Sequence, residues 1–297
     1  MKRRLAAAAA AVAVAALAGA ASASSAPPGP DAAKMTLQAT DFPGSHASGT
    51  RLEGSGGIVG GFENVIRLAS PFGKSQYRVF DSIAMVAADV PAGIAVYHQF
   101  GRQFSSKANR LELIASLLSQ AGLTIDPEKV SMLTPRALGI DDSSMEIGFV
   151  VKVGKQRLNV SITLVRLDRV VDADLALGTG NTVELADGQA VVHLAASHIA
   201  AGLVPAGLET PEITGAVAVG EVLTVSTGTW SGAATTFTYQ WQRCDAAGAG
   251  SVDVAGATGV TYRLTAADAH STLRANVTAA GRFGHGTAPS ALSAVVP

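Results

Sequence analysis

The stretch Tyr-Gln-Trp-Gln-Arg-Cys-Asp at 239–245 indicates a β-strand at the centre of the C-terminal part of the chain. Its apolar and polar residues alternate, so Tyr239 and Trp241 fall on one face of a predicted strand. A buried tryptophan in a middle strand is typical of the core of a two-layer β-sandwich. Short alternating segments recur on both sides of this strand, separated by Gly, Thr, Ser and Asp. The pattern therefore predicts an all-β domain over 211–297, with Trp241, Tyr239 and Val225 in its core.

Four further motifs surround this strand. They read VGEVLTV at 219–225, GTWS at 228–231, AGAT at 255–258 and LRANVTA at 273–279. Together with the central strand they closely resemble the immunoglobulin-like (Ig-like) module that is often repeated in secreted and surface proteins of actinobacteria. The resemblance covers nearly all of residues 211–297. It implies a β-sandwich that serves as a spacer or an adhesive module, although a fold alone does not fix a function.

Two positions depart from the pattern of that module. The relatives pair the cysteine of the WxRC motif with a second cysteine after a short loop, whereas this chain has Ser251 at about that place. Cys244 is the one cysteine of the sequence, so we expect a free thiol that is able to link two copies of the protein. The relatives also carry glycine where this chain has His270, and a positive φ there would strain a histidine.

The N-terminus has the three parts of a secretory signal peptide. A cationic start, Met1–Arg4, precedes an unbroken run of Ala, Val, Leu and Gly and a small-residue cleavage site. We therefore predict a signal peptide over 1–23, a disordered Pro-rich spacer over 24–34, and an extracellular or cell-envelope location. An uncleaved membrane anchor is the alternative, but the run is mostly Ala. We expect no membrane span after the signal peptide is cleaved.

The first half of the mature chain mixes the periodicities of strands and helices. Alternating apolar residues predict a hairpin at 147–164 with a two-residue turn at Gly154. Apolar residues three or four positions apart predict helices before and after it. Consecutive strands joined by tight turns favour an antiparallel sheet, so we predict an α+β domain over 35–204 with its helices on one face. Prolines and a glycine then indicate a linker at 205–210.

The motif Asp-Phe-Pro-Gly at 41–44 lies near the start of this half. It resembles the "DLPxG" entry of exported sensor-like or lipoprotein α+β domains of actinobacteria. That group is related to the extracellular part of mycobacterial receptor kinases and to the Mog1-like fold, and the order of elements over 35–205 is similar. The resemblance implies a sensor-like domain without shared catalytic residues.

Candidate sites in the sequence each have a simpler interpretation. The glycine-rich stretch 54–61 lacks the Lys-Ser or Lys-Thr of a phosphate loop, so we expect a flexible hairpin or turn. Asp168, Asp172 and Asp174 lack the spacing of a calcium loop, so we expect a strand with solvated carboxylates. The six histidines are scattered and form no HExxH motif. We therefore predict no catalytic, metal-binding or cofactor-binding residues.

The net charge of −1 provides no basic surface for nucleic acid. Three hypotheses about function follow. The first is a non-catalytic exported protein of the cell envelope, whose Ig-like module positions an α+β binding domain against a cell-wall polymer, a surface protein or a small ligand. The second is an extracellular small-ligand sensor, which predicts a pocket between sheet and helices. The third is a secreted enzyme with an unrecognised site.

Overall fold

The computed structural model describes residues 31–54, 57–120, 126–140 and 142–297. The predicted signal peptide over 1–23 and most of the predicted spacer over 24–34 lie outside the described residues. Within the spacer, Ala32–Lys34 forms a 3-10 helix capped by Asp31, so its last residues are ordered by local hydrogen bonds. The chain divides into two compact units, Met1–Gly202 and Leu203–Pro297.

Antiparallel strands make up the framework of the first unit. In the described residues they are β1 (His46–Glu53), β2 (Ile58–Phe72), β3 (Tyr77–Ala87), β4 (Val130–Met132), β5 (Arg136–Ala137), β6 (Ser143–Val153), β7 (Gln156–Leu167) and β8 (Val170–Thr179). They form one sheet in the order β1-β2-β3-β8-β7-β6-β4, with β5 paired to β6. The predicted hairpin is β6 and β7, where Val153 pairs with Gln156 and Gly154 supplies the positive φ of +60°.

Three α-helices of the first unit are described. They are α1 (Val90–Gln103), α2 (Lys107–Gln120) and α3 (Leu185–Gly202). The carboxylate of Asp89 accepts a hydrogen bond from Ala92 N (2.8 Å) at the start of α1. The hydroxyl of Ser106 does the same for Asn109 N (3.1 Å) in α2, so the serine pair after α1 starts a second helix. None of the described helices is both long enough and apolar enough to cross a membrane.

Helices cover both faces of the sheet, and the sequence-based prediction of a single covered face is wrong. Ile147 of β6 packs with Ile114 of α2 in one apolar cluster. The neighbouring Glu146 lies on the opposite face because side chains alternate along a strand. There a Cβ on Gly188 of α3 would lie 2.4 Å from Glu146 Oε1. An apolar stripe shows that a helix is amphipathic, but not which face of a two-sided sheet it covers.

The second unit is all-β apart from one 3-10 helix, Ala266–Asp268. Its strands are β9 (Ala206–Glu209), β10 (Ile213–Thr214), β11 (Val222–Val225), β12 (Thr229–Ser231), β13 (Thr236–Cys244), β14 (Val252–Asp253), β15 (Thr261–Arg263), β16 (Thr272–Gly281) and β17 (Gly284–Pro289). Antiparallel sheets form in the orders β10-β11-β15, β14-β13-β16-β17 and β12-β9. The predicted linker at 205–210 is therefore largely the strand β9. Its Gly207 pairs with Trp230, so the glycine serves a close approach rather than flexibility.

Trp241 lies at the centre of the second unit's core and is 0% exposed. Its Nε1 donates to Gly259 O (2.9 Å), so the indole N–H is satisfied inside the core. Val225 of β11 is buried in the same cluster, and Tyr239 packs against it from a half-buried position. Side chains of two sheets thus meet around Trp241, as in a two-layer β structure.

The structure shows the environment of Cys244 and the backbone conformation of His270, the two positions that depart from the Ig-like pattern. Cys244 is buried, and its Sγ lies 3.1 Å from Ser251 Oγ. The prediction that this thiol can link two copies is wrong for the folded state, because the sulfur is inside the domain. His270 has a φ of +62°, so an L-residue occupies backbone space that favours glycine.

Candidate functional site

The described strands of the first unit's sheet contain five buried acidic side chains. Glu63, Asp81, Glu146, Asp172 and Asp174 are 7%, 2%, 0%, 0% and 1% exposed. The expectation that Asp172 and Asp174 are solvated is wrong, because elements pack on both faces and leave no solvent face in the middle of the sheet. Burial of five carboxyl groups in one sheet is costly unless protons or partners neutralise them.

Glu63 and Asp81 form the first acidic pair, on the face that α1 covers. Ile83 is the register partner of Glu63, and it packs with Val96 of α1. Asp81 lies two residues before Ile83 on the same face, within hydrogen-bond reach of Glu63. Burial, together with the nearby charge of Glu63, raises the pKa of Asp81 to about 8. Two carboxyl groups this close must share a proton at neutral pH.

Asp172 and Asp174 form the second acidic pair, on the opposite face. Asp172 Oδ1 accepts from Ser82 Oγ (3.5 Å), and Asp174 Oδ2 accepts from Thr163 Oγ1 (3.3 Å). The two carboxyl groups also lie within hydrogen-bond reach of each other. Burial raises the pKa of Asp172 well above its usual range and that of Asp174 to about 6. Neutral hydroxyls are thus the direct partners of this pair on the neighbouring strands.

The fifth of these buried carboxyl groups, Glu146, lies beside the start of α3. Its Oε1 accepts from Ser161 Oγ (2.7 Å), and its Oε2 forms an ion pair with the partly exposed Arg136. Burial raises the pKa of Glu146 in spite of these two partners. Burial also raises the pKa of the nearby Tyr77 hydroxyl, to about 12. Ser75 N donates to Asp187 Oδ2 (2.6 Å) in the same region, so this network fastens the first turn of α3 to the sheet.

His198 of α3 has a partner from the start of the described chain. Its Nε2 lies 3.1 and 3.0 Å from the two carboxylate oxygens of Asp41. Asp41 is the first residue of the Asp-Phe-Pro-Gly motif at 41–44. The other histidine of this helix, His193, is exposed, so the two do not form a common site.

The other candidate residues in the sequence do not join these groups. Asp168 lies in the turn before β8 with a φ of +55°, and its N–H donates to Asp142 Oδ2 (2.7 Å). The glycine-rich stretch 54–61 connects β1 to β2, with residues 55 and 56 outside the described part. Asn159 begins an Asn-Val-Ser sequence that fits the acceptor pattern for N-glycosylation, but its side chain is 1% exposed and inaccessible to modification. Within the described ranges, no three His, Cys, Asp or Glu side chains are arranged to hold a metal ion.

A carboxyl pair that shares one proton is a known arrangement for acid–base catalysis. Such a pair needs a reacting group within hydrogen-bond reach. Here, α1 covers one pair, while α3 and the N-terminal segment cover the other. The arrangement therefore supports proton storage and polar packing in this closed form.

No family model matches the chain, and no curated protein matches it. Among solved structures, the extracellular domain of PknH from Mycobacterium tuberculosis is similar, with a TM-score of 0.37 and 9% sequence identity. The match covers 57% of this chain and 93% of that domain. This is a weak likeness to an actinobacterial extracellular domain, too low to carry an argument about function.

Proposed function

We propose that this chain is a non-catalytic exported protein of the cell envelope, in which an Ig-like module positions an α+β binding domain. The observation that carries the proposal is the closed setting of the first unit's acidic side chains. Both acidic pairs, which could do acid–base chemistry, are at most 7% exposed. A substrate cannot reach them while the covering elements are in place, which supports a non-catalytic role for these groups.

Export is supported by the signal-peptide pattern over 1–23, and positioning by the Ig-like motifs over 211–297. The second unit also has an aromatic pair at its surface. Trp230 is half-buried, and its ring centroid lies 6.4 Å from that of Phe237, which is 36% exposed. Aromatic side chains with one accessible face are frequent contact residues in binding surfaces. We therefore expect Trp230 and Phe237 to contact the envelope.

Co-sedimentation with purified actinobacterial cell walls tests the proposal. The chain without residues 1–23 is expected to pellet with the walls, and Phe237→Ser is expected to weaken that binding. Val252→Ser is the matched control, because Val252 is 67% exposed on the short strand β14. If the wild-type chain stays in the supernatant, the wall-positioning role is wrong. Equal weakening by both variants would show that the aromatic pair is not the contact.

A small-ligand sensor is the second candidate function, and one buried side chain favours it. Asn159 Nδ2 donates to Ser75 O (2.9 Å), whereas its Oδ1 has no hydrogen-bond partner among the described residues. A buried acceptor of this kind needs a donor from water or a bound molecule. A panel of small polar compounds should contain one that raises the Tm of the wild-type first unit but not of Asn159→Ala. Equal shifts in both proteins, or none in either, would reject this site.

A further inference from the structure

The residues Met35–Phe42, called the strap here, cross the same face of the sheet as α3. Met35, Thr36 and Leu37 are each 0% exposed. A Cβ on Gly202 of α3 would lie 2.5 Å from Met35 Cε, so the strap packs tightly against the end of that helix. At its far end, Phe42 stacks on Phe80 of β3 with ring centroids 5.0 Å apart.

Side chains of the sheet, rather than a ladder of backbone bonds, hold the backbone of the strap. Leu37 N donates to Ser82 Oγ (2.9 Å), and Asn64 Nδ2 donates to Leu37 O (2.8 Å). The other link is the contact between Asp41 and His198 of α3. The strap is therefore held by apolar burial and by a few polar contacts, and the strength of these polar contacts varies with the charges nearby.

Two of these contacts connect the strap with the second acidic pair. Ser82 Oγ accepts from Leu37 N, and its own proton can point to Asp172 Oδ1 at 3.5 Å. His198 is close enough to Asp174 for its positive charge to favour the ionised form of that carboxyl group. The acidic pair thus lies beneath the strap. Ser82 contacts both the strap and the pair, and His198 of α3 lies near Asp174.

We propose that the strap is a pH-dependent cover, docked on the sheet in acid and loosened in alkali. In acid, Asp172 and Asp174 hold protons, and the pair beneath Ser82 is neutral. As pH rises, the pair ionises, so negative charge accumulates between the strap and the sheet. A buried carboxylate is more stable in water than under a closed cover, so ionisation weakens docking.

The groups facing the acidic pair do not offset this charge. Ser82 on β3 and Thr163 on β7 are neutral, and the strap contributes the acidic Asp41. On the opposite face of the sheet, Asp81 and Glu63 are also acidic, and Asp174 raises the pKa of Asp81. His198 of α3 is the one basic side chain in this set, and it already lies against the carboxylate of Asp41. Loosening of the strap would uncover Ser82 and Asp172, opening this face to solvent or a ligand.

Hydrogen exchange of the intact mature chain tests the proposal at the amide of Leu37. Protection factors, which correct for the intrinsic effect of pH on exchange, are compared at pH of about 5.5 and about 8.5. We expect the protection of Leu37 to fall about tenfold or more, the factor that corresponds to one unit of pKa shift. Amides in the middle of β7, such as that of Ile162, report global opening and should stay unchanged.

One variant identifies the group responsible. Asp172→Asn removes a titrating member of the pair and should flatten the pH profile of Leu37. Glu53→Gln, at an exposed position of β1, is the matched control and should retain the wild-type profile. The proposal fails if wild-type protection at Leu37 does not fall with pH, if β7 loses protection in parallel, or if Asp172→Asn leaves the profile unchanged. The protection of Leu37 in the wild type at the two pH values tests the proposal even if Asp172→Asn does not fold.

Discussion

Asp268 in the second unit and Asp81 in the first are buried aspartates, 0% and 2% exposed. Burial acts to raise the pKa of Asp268, but hydrogen bonds from Thr265 and Arg243 hold it below its usual range. Tyr262 adds a further donor at 2.9 Å. Burial also raises the pKa of Asp81, and the facing carboxyl group of Glu63 adds to that rise instead of opposing it. The comparison shows that the partners of a buried carboxyl group, and not burial alone, set the sign of its response to pH.

The same contrast extends to the construction of each unit. In the second unit, Asp268 accepts a hydrogen bond from Tyr262, which packs against the core of Trp241 and aliphatic side chains. The first unit inserts carboxyl groups among apolar clusters on both faces of one sheet. Four variants test this difference. The tryptophans are convenient reporters, because both lie in the second unit.

The largest effect is expected from Trp241→Ala. Removal of a fully buried indole should destabilise the second unit by about 3–5 kcal/mol through lost contacts and a cavity. Circular dichroism and calorimetry would show loss of this unit's transition, while the first unit melts as before. Trp230→Ala is the control, since that ring is half-buried and should cost less. A native transition in Trp241→Ala would contradict the core assignment.

Asp268→Asn should have the next largest effect. The amide cannot match the carboxylate as a partner for Arg243, Tyr262 and Thr265, so we expect a loss of about 2–3 kcal/mol at neutral pH. Because the pKa of Asp268 is lowered by folding, its stabilisation is present above the unfolded pKa of about 4 and is lost as pH falls through the lower folded pKa. Tryptophan fluorescence during urea unfolding at several pH values measures this. Asp253→Asn, on an exposed strand, should keep the acid sensitivity. Loss of it in the control alone would contradict the assignment.

Ser251→Cys should stabilise the second unit. Cys244 Sγ and Ser251 Oγ are 3.1 Å apart, so a sulfur at this place is near enough to form a disulfide with modest adjustment. Closing this short loop is worth about 2 kcal/mol in the chain-entropy model. Titration under denaturing conditions should find no free thiol in the oxidised variant and one in the wild type. Ser251→Ala controls for loss of the hydroxyl, and a variant that stays reduced in oxidant would reject the pairing.

Local pattern predicted much of this architecture, whereas long-range contacts decided the rest. The alternation around Trp241 and the glycine turn at Gly154 are local signals, and both have the predicted structure. The alternation of Asp172 and Asp174 shows that they share a face. It does not show that α3 and the strap cover that face. The contact between Asp41 and His198 spans 157 residues, a distance over which one sequence has no periodic signal. One local signal does indicate burial of this strand on at least one face, namely the alternation of Val171, Ala173 and Leu175 with the two aspartates. A strand with apolar residues on one face and acids on the other can be buried on both.

Asp81→Asn should have the smallest effect at neutral pH and the opposite pH dependence to Asp268→Asn. Because folding raises the pKa of Asp81 to about 8, the native state binds more protons than the unfolded state between about pH 4 and that value. Its contribution is therefore fully present in acid and is lost as pH rises through the folded pKa.

The asparagine variant carries no charge to bury, so it should be more stable than the wild type by about 1–2 kcal/mol at pH of about 9 and little different at about 5. Far-UV circular dichroism of the first unit's transition measures the difference. Glu53→Gln, at an exposed position of β1, should leave the wild-type slope unchanged. An equal loss of stability at both pH values would mean that Asp81 is needed for its shape rather than its proton. In that case Asp81 would not give the first unit a pH response opposite to the one that Asp268 gives the second unit.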